Sequence, residues 1–227
     1  MPKTFIQSMA LVALAFTLAA PASANLVLNG TFTSPAAPFN NTCSGSDCSF
    51  STGTSITDWT ISGSGGTGLF QPGTTTTYYN SGPNGEANGS YVVAYSNGSM
   101  ISQVITASVT GVYTFDVYIG GERNDAVPAD GTADAVVTGG TSHTFDASGT
   151  TAAQGEFSLF TVTFDASAGN TIDIQLQSPG VQGDFGNVSL TASATPEPGF
   201  YGVVALGLSG LAFAVVRRRS AEKLGRS

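Results

Sequence analysis

Strict alternation between apolar and polar side chains constrains this fold more than any other feature, and it is clearest at residues 112–119 and 170–177. A period of two places successive side chains on opposite faces of a β-strand. Phe157 to Asp165 repeats the pattern, and no part of residues 25–194 has a long helical period. The sequence therefore predicts an all-β domain.

Turn signals between the alternating runs predict about nine short strands packed as an antiparallel β-sandwich. Residues 63–89 are rich in Gly, Thr, Asn and Pro and are expected to form mostly loop, with one short strand at Leu69-Phe70. Asn97-Gly98 lies between two apolar runs and predicts a hairpin turn. Other strands are expected at 26–28, 56–62, 91–95, 100–106, 112–119, 133–138, 144–146, 157–165, 170–177 and 184–191.

The N-terminus has the three parts of a secretory signal peptide. Lys3 supplies the basic start, Met9 to Ala20 the short apolar core, and Ala22-Ser23-Ala24 the small-residue cleavage site. Removal of residues 1–24 would leave Asn25 as the first mature residue. We therefore expect export, with residues 25–194 as one ectodomain.

The C-terminus combines a proline-containing turn, an apolar run and a basic cluster. Phe200 to Val216 is uncharged and 17 residues long, so a helix there would span roughly 25 Å, the short end of what crosses a bilayer. Basic residues beside a span resist translocation. The pattern predicts one transmembrane helix over 200–216, with everything before Pro196 outside the cytoplasm.

This tail, residues 195–227, resembles the PEP-CTERM sorting signal of Gram-negative bacteria. The matching residues are Pro196, Glu197, Pro198, the apolar run, and Arg217, Arg218 and Arg219. The resemblance implies an exosortase partner, a membrane transpeptidase-like enzyme that cuts near the tripeptide. The precursor would be anchored in the inner membrane with its ectodomain in the periplasm, and the product would reach the cell surface or an exopolysaccharide matrix. A permanent anchor that is never cut is the alternative, because the span fits both.

Charge is divided unevenly between the ectodomain and the tail. Of the seven Lys and Arg residues only Arg123 lies in residues 25–194, against 13 of the 15 Asp and Glu residues, a formal charge of −12. Such a surface repels nucleic acid and anionic lipid headgroups. We expect no nucleic-acid partner.

Cys43 and Cys48 are the only cysteines. In an exported protein an even count indicates a disulfide. The sequence around them lacks further ligands of the kind that a metal site needs. We therefore predict a structural bond between them.

The ends of the ectodomain resemble those of galactose-binding-like jelly rolls, the fold of many carbohydrate-binding modules. The resemblance lies in Asn25 to Phe32, in Trp59, and in Asn187 to Leu190. It implies an antiparallel jelly-roll β-sandwich. Relatives commonly hold a structural calcium between these ends, but Thr33 and Gly186 stand where the family has acids. We expect that calcium site to be lost.

Residues for catalysis or metal binding are sparse. His143 is the only histidine, which excludes a His-rich zinc site, and no Gly-x-Ser-x-Gly elbow is present. A cluster of Asp125, Asp130 and Asp134 around calcium is a minor alternative, because their spacing matches no standard calcium loop. We predict no enzyme activity and no cofactor.

Two functions of different classes remain. Sugar recognition combines an aromatic platform with fixed polar groups, and outward-facing residues on neighbouring strands would supply them. The predicted glycan-binding residues are Asp116, Tyr118, Asp173, Gln175 and Gln177, with Tyr78 and Tyr79 as further rings. The chain is therefore expected to be a non-catalytic surface or matrix protein that binds exopolysaccharide. The alternative is a structural coat protein without a ligand site, and a glycan hydrolase is the least supported.

Overall fold

The computed structural model describes residues 24–33, 39–43, 47–53, 55–123, 131–138, 153–194, 206–211 and 213. These residues contain nine β-strands and a short 3-10 turn at Pro83–Gly85. The strands are β1 (Asn41–Thr42), β2 (Cys48–Thr52), β3 (Thr60–Pro72), β4 (Val93–Thr106), β5 (Gly111–Gly121), β6 (Thr132–Thr138), β7 (Glu156–Ala166), β8 (Thr171–Gln177) and β9 (Gly183–Ala194).

Hydrogen bonds join the nine strands into one branched antiparallel sheet, and its two branches, which share β3 and β4, form the two sheets of a sandwich. Sheet I has the order β1-β2-β3-β4-β9-β5-β7, and sheet II has the order β3-β4-β8-β6. β4 takes part in both sheets because it is long. Its residues 94–96 pair with β9, whereas its residues 100–106 pair with β8. The all-β jelly-roll prediction is confirmed.

One apolar core lies between the sheets. The inward side chains of β5, such as Phe115 and Val117, belong to the same cluster as Ile172 and Ile174 of β8. A methyl group added at Gly131, directly before β6, would lie 2.5 Å from a side-chain carbon of Ile119 on β5. The two sheets therefore face each other, and their outer faces point in opposite directions.

The alternation pattern located β5, β7 and β8 correctly. On β8, Ile172, Ile174 and Leu176 have no exposed surface, while the polar residues between them are accessible. Trp59 is buried against the core. Its ring lies 5.3 Å from that of Phe32.

The predicted hairpin at Asn97-Gly98 is wrong, because residues 93–106 form the single strand β4. The pair lies instead opposite an irregularity in β3, where the register shifts between Gly63 and Gly66. Gly98 keeps the positive φ of 77° that a turn would need. The signal thus marked the point where the strand passes from one sheet to the other.

The prediction that residues 63–89 are mostly loop is wrong for the first ten of them, which lie in β3. Glycines occur here because the neighbouring backbone is too close for side chains. A methyl group at Gly68 would lie 1.7 Å from the carbonyl oxygen of Ser51. The actual loop, residues 73–92, connects β3 to β4, and we call it the cover loop.

The N-terminal strand prediction also fails, since residues 27–31 form bends and turns. Two backbone hydrogen bonds nevertheless attach this segment to β9: Leu26 N–H donates to Leu190 O, and Val188 N–H donates to Gly30 O. The Asn25 side chain adds to them, because its Oδ1 accepts from Val27 and Leu190 N–H at 3.0 Å.

The predicted disulfide between Cys43 and Cys48 is confirmed, with Cα atoms 5.1 Å apart. Residues 1–23 of the predicted signal peptide (1–24), the predicted strand at 144–146, and the predicted sorting residues Pro196, Glu197, Pro198, Arg217, Arg218 and Arg219 lie outside the described residues. Residues 206–211 and 213 are helical. Within the described part of the chain, no helix has the length and apolar character to span a membrane.

Candidate functional site

The five predicted glycan-binding residues fall into two sets on opposite sides of the molecule. Asp116 and Tyr118 lie on β5, whose neighbours are β7 and β9. Asp173, Gln175 and Gln177 lie on β8, whose neighbours are β4 and β6. Because the outer faces of the sheets point apart, a single site cannot contain both sets.

The outer face of sheet I is partly covered by the cover loop. Tyr79 and Tyr91 from this loop are buried in a second apolar cluster with Phe70, Val93 and Tyr95 from the sheet. The Tyr79 ring stacks on Phe157 of β7 with centroids 4.5 Å apart. This layer explains why Tyr79, expected as an exposed ring for sugars, has no accessible surface.

Beneath the cover loop lies a buried carboxylate. Asp184 on β9 has no exposed surface, and its Oδ2 accepts a 2.5 Å hydrogen bond from the Tyr79 hydroxyl. Gln182 Nε2 donates to Asp184 Oδ1 at 3.1 Å and to Glu122 Oε1 at 3.0 Å. The Gln182 amide thereby donates a hydrogen bond to each of two neighbouring acids, Asp184 and Glu122.

This environment raises the pKa values of the surrounding tyrosines. Burial is the main cause for Tyr79, and the Asp184 carboxylate adds to it, so its pKa lies well above the ordinary value. The same two causes raise the pKa of Tyr95 to about 12, and burial followed by Asp184 raises the pKa of Tyr91. All three hydroxyls therefore remain protonated donors at physiological pH.

The cover loop leaves open the part of sheet I that runs from Tyr118 to the start of β5. A step forms at the edge of the covered area, where Asn84 of the loop meets the sheet. At its base the Tyr118 hydroxyl donates to Asn84 Oδ1 in the loop at 3.3 Å. One row further down, Thr161 of β7 donates to Asp116 Oδ1 at 2.6 Å. We call this group, Asn84, Asp116, Tyr118, Leu159 and Thr161, the ledge.

Local backbone geometry explains how the ledge is built. Asn84 has a φ of 57°, a left-handed conformation that asparagine tolerates better than most residues. Gly186 of β9 pairs with Tyr118, and a methyl group there would lie 2.5 Å from Pro83. Glycine thus lets the loop descend onto the sheet beside Tyr118. On the other side Leu159, which pairs with Tyr118, is 50% exposed.

The outer face of sheet II carries polar side chains beside Val104, which pairs with Asp173 and is 66% exposed, and it has no ring among its described residues. Gln175 pairs with Ser102 on one side and with Asp134 on the other. Gln175 Nε2 donates to Asp173 Oδ2 at 2.7 Å, while Asp173 Oδ1 has no hydrogen-bond partner. Gln177 is exposed at the end of the strand. This face offers hydrogen bonds but no stacking platform.

The residues at the expected calcium position do not fit a bound cation. Gly186 has no side chain, and Thr33 Oγ1 is hydrogen-bonded to Thr31 Oγ1 at 2.9 Å. The nearby acid on β9, Asp184, has both carboxylate oxygens occupied by Tyr79 and Gln182. Among described residues no group of three His, Cys, Asp or Glu side chains is placed to hold a metal.

Comparison with known proteins gives one family and several distant structures. The family model described as HpiC1-like, HpiC1 cyclase, matches residues 24–191. No curated protein matches the chain significantly.

The similar solved structures include three carbohydrate-binding modules. TmCBM61, solved with β-1,4-galactotriose, shares 14% identity and a TM-score of 0.48 over 75% of this chain and 99% of that one. The CBM22-1 xylan-binding domain of Xyn10C from Paenibacillus barcinonensis shares 11% identity and a TM-score of 0.38, over 61% and 87% of the chains. A family 35 module from Clostridium thermocellum shares 15% identity and a TM-score of 0.35, over 60% and 93%.

Proposed function

This chain belongs to the HpiC1-like family, and we propose that its jelly-roll domain is a non-catalytic module that binds glycan on the ledge. The observation that carries the proposal is the pairing of an outward-facing, half-buried ring, Tyr118, with a carboxylate that a neighbouring strand holds in place. Sugar-binding surfaces need such a platform together with polar groups fixed before the ligand arrives. Leu159 extends the apolar part of the platform.

The ledge is favoured over the outer face of sheet II for a physical reason. Apolar sugar faces gain most from an aromatic surface, and the described part of sheet II presents Asp173, Gln175 and Gln177 without a ring. The step formed by Asn84 gives the ledge one raised wall. A polysaccharide chain would lie along this wall.

Mutation of the two faces tests the proposal. Tyr118→Ala should weaken binding to a retained polysaccharide by about tenfold, because stacking and apolar contact are lost. Gln175→Ala, on the opposite face, is the matched control and should bind like the wild type. The measurement is affinity electrophoresis of the exported protein through gels containing different polysaccharides.

Three outcomes would contradict the glycan proposal. A loss of binding in Gln175→Ala, with none in Tyr118→Ala, would move the site to sheet II. Equal losses in both variants would indicate diffuse retention. If no polysaccharide retards the protein, a purely structural surface role is the better account.

The wider proposal is that the ectodomain is delivered to the cell surface or matrix by the C-terminal tail. The Cys43–Cys48 disulfide supports export, because such bonds form and persist in oxidising compartments. The Pro196-Glu197-Pro198 tripeptide, the apolar run and the arginine cluster support processing by an exosortase. The inner membrane would hold the precursor only until cleavage.

Catalysis is the second candidate function, favoured by the family description and by Asp184. A cyclisation needs a positioned proton donor or acceptor within reach of the substrate, and Asp184 is a buried carboxylate bonded to a tyrosine hydroxyl. However, neither Asp184 nor Tyr79 has exposed surface. A substrate would reach this acid only if the cover loop moved away from sheet I.

A further inference from the structure

The ledge is acidic on a face where the described residues carry no positive charge. The ionisable carboxylates on the open part of sheet I are Asp116 on β5 and Asp165 on β7. Arg123, the one Lys or Arg in residues 25–194, follows the end of β5, seven residues after Asp116. Its backbone N–H donates to Tyr78 O at the covered end of the sheet. The cation therefore lies away from the ledge.

The hydrogen-bonding groups of the ledge mostly accept. Asp116 is acceptor-only when ionised, and Thr161 occupies just one of its two oxygens. The Tyr118 hydroxyl already donates its proton to Asn84, which leaves its oxygen as an acceptor. The Asn84 amide nitrogen remains a donor at the loop side, but a ligand group that contacts Asp116 and the Tyr118 oxygen must bring the donors itself.

A ring beside a carboxylate is suited to a positively charged group. Tyr118 and Asp116 are two residues apart on one face of β5, so their side chains are neighbours. An ammonium group gains from the ring face and from the carboxylate at the same time. Sugars with carboxylate or sulfate groups would instead meet Asp116, Asp165 and a domain of net charge −12.

We propose that the glycan bound on the ledge carries free ammonium groups, as partly deacetylated amino-sugar polymers do, with the ammonium between Asp116 and the Tyr118 ring. This inference rests on the proposed glycan binding and adds the chemical class of the ligand. Under this proposal Asp116 determines which glycans are preferred, whereas the Tyr118 ring contacts charged and uncharged glycans alike.

The test compares three sets of oligosaccharides of equal length with the full protein: deacetylated glucosamine, N-acetylglucosamine and galacturonate. Calorimetry at mildly acidic pH keeps the amines of the deacetylated sugar protonated. The wild type should bind the deacetylated sugar most tightly and the galacturonate least. Asp116→Asn should reduce the preference for deacetylated over acetylated sugar by about fivefold.

Asp165→Asn is the matched control, because it removes the same charge from the same face. Asp165 lies four residues beyond Thr161 on β7, roughly 13 Å along the strand, and this change should leave the preference intact. Equal effects of the two substitutions would overturn the inference, since only the overall field would then matter. Tyr118-dependent binding of the acetylated sugar, without preference for the deacetylated one, would overturn the inference alone. Failure of all three sugars to bind would overturn the glycan proposal as well.

Discussion

Tyr79 is the residue that connects the cover loop most directly to the sheet beneath it. Its ring stacks on Phe157 and its hydroxyl bonds to Asp184, which has no exposed surface. A buried carboxylate that loses a donor costs more than an ordinary hydrogen bond, because the charge keeps its desolvation penalty. We therefore expect the Tyr79–Asp184 hydrogen bond to stabilise this layer by more than the burial of apolar surface alone would.

We expect Tyr79→Phe to lower the free energy of unfolding by about 1.5–3 kcal/mol at neutral pH. The wild type should also lose stability above about pH 10, because the pKa of Tyr79 is higher in the folded protein than in the unfolded chain. Its contribution to stability is complete below the pKa of the unfolded chain. The contribution is lost as the pH rises through the pKa of the folded protein. The variant should show a shallower alkaline decline. Urea unfolding followed across this pH range measures both effects.

Tyr113→Phe provides the comparison, since that buried hydroxyl donates to the neutral carbonyl of Val109 at 2.7 Å. Its loss should cost about 1 kcal/mol. Two results would contradict this prediction: an equal loss in the free energy of unfolding for the two variants, or the same alkaline decline in stability for the wild type and Tyr79→Phe. Either would show that the bond to Asp184 stabilises the fold no more than an ordinary hydrogen bond. Sequence reasoning did not single out Tyr79 and Asp184 as a pair, because 105 positions separate them.

At the scale of elements, the cover loop decides whether Asp184 is sealed or reachable. Its backbone is attached at several points, including Asn80 N–H to Gly155 O at 2.8 Å. Asn88 Nδ2 donates to the carbonyls of Thr75 and Tyr79, and Asn88 Oδ1 accepts from the Tyr91 hydroxyl. This one side chain therefore joins three points of the loop.

We expect the hydrogen-bonded amides of the cover loop to exchange with deuterium nearly as slowly as those of β4, because the loop opens only with its apolar layer. Asn88→Ala should speed this exchange in the loop, whereas Asn97→Ala, at an exposed position of β4, should not. Hydrogen exchange with mass spectrometry compares the two segments. Fast exchange throughout the wild-type loop would contradict a sealed layer and would favour the catalytic candidate.

Elements with strong alternation were predictable, and those set by backbone crowding were not. β5 and β8 each bury one complete row of apolar side chains, so a period of two identified them. β3 contains a glycine-rich segment at residues 63–68, whose composition is typical of a loop. Only the position of the neighbouring backbone explains why glycines lie in a strand there. A similar limit applies to the site: the polar residues of β5 and β8 were recognised individually, but pattern alone does not reveal which strands share a sheet.

At the scale of the whole molecule, the acidic ledge with its Tyr118 ring lies on one outer face, and the opposite face has polar groups and exposed Val104 but no described ring. This division depends on β3 and β4 passing from one sheet to the other, since β8 and β9 pair with different parts of the same edge of β4. The N-terminal segment closes the domain by bonding to β9. Both ends of the ectodomain therefore meet at β9, directly before the tail.

Mass spectrometry of the mature protein from its native host tests the proposed processing at both ends. We expect an N-terminus at Asn25, because cleavage after Ala24 preserves the bonds that the Asn25 side chain makes to Val27 and Leu190 and fits the small-residue signal. We expect a C-terminus near Pro196-Glu197-Pro198, because two prolines lack backbone donors and restrict φ, which disfavours a helix at the tripeptide. Glu197→Ala should block the C-terminal cut and leave membrane insertion intact, since the apolar run and the arginines are unchanged. Replacement of Arg217, Arg218 and Arg219 by Ser should instead weaken retention of the precursor. Recovery of wild-type protein with its C-terminus intact through Ser227 would identify the tail as a permanent anchor, and the sorting proposal would then be wrong.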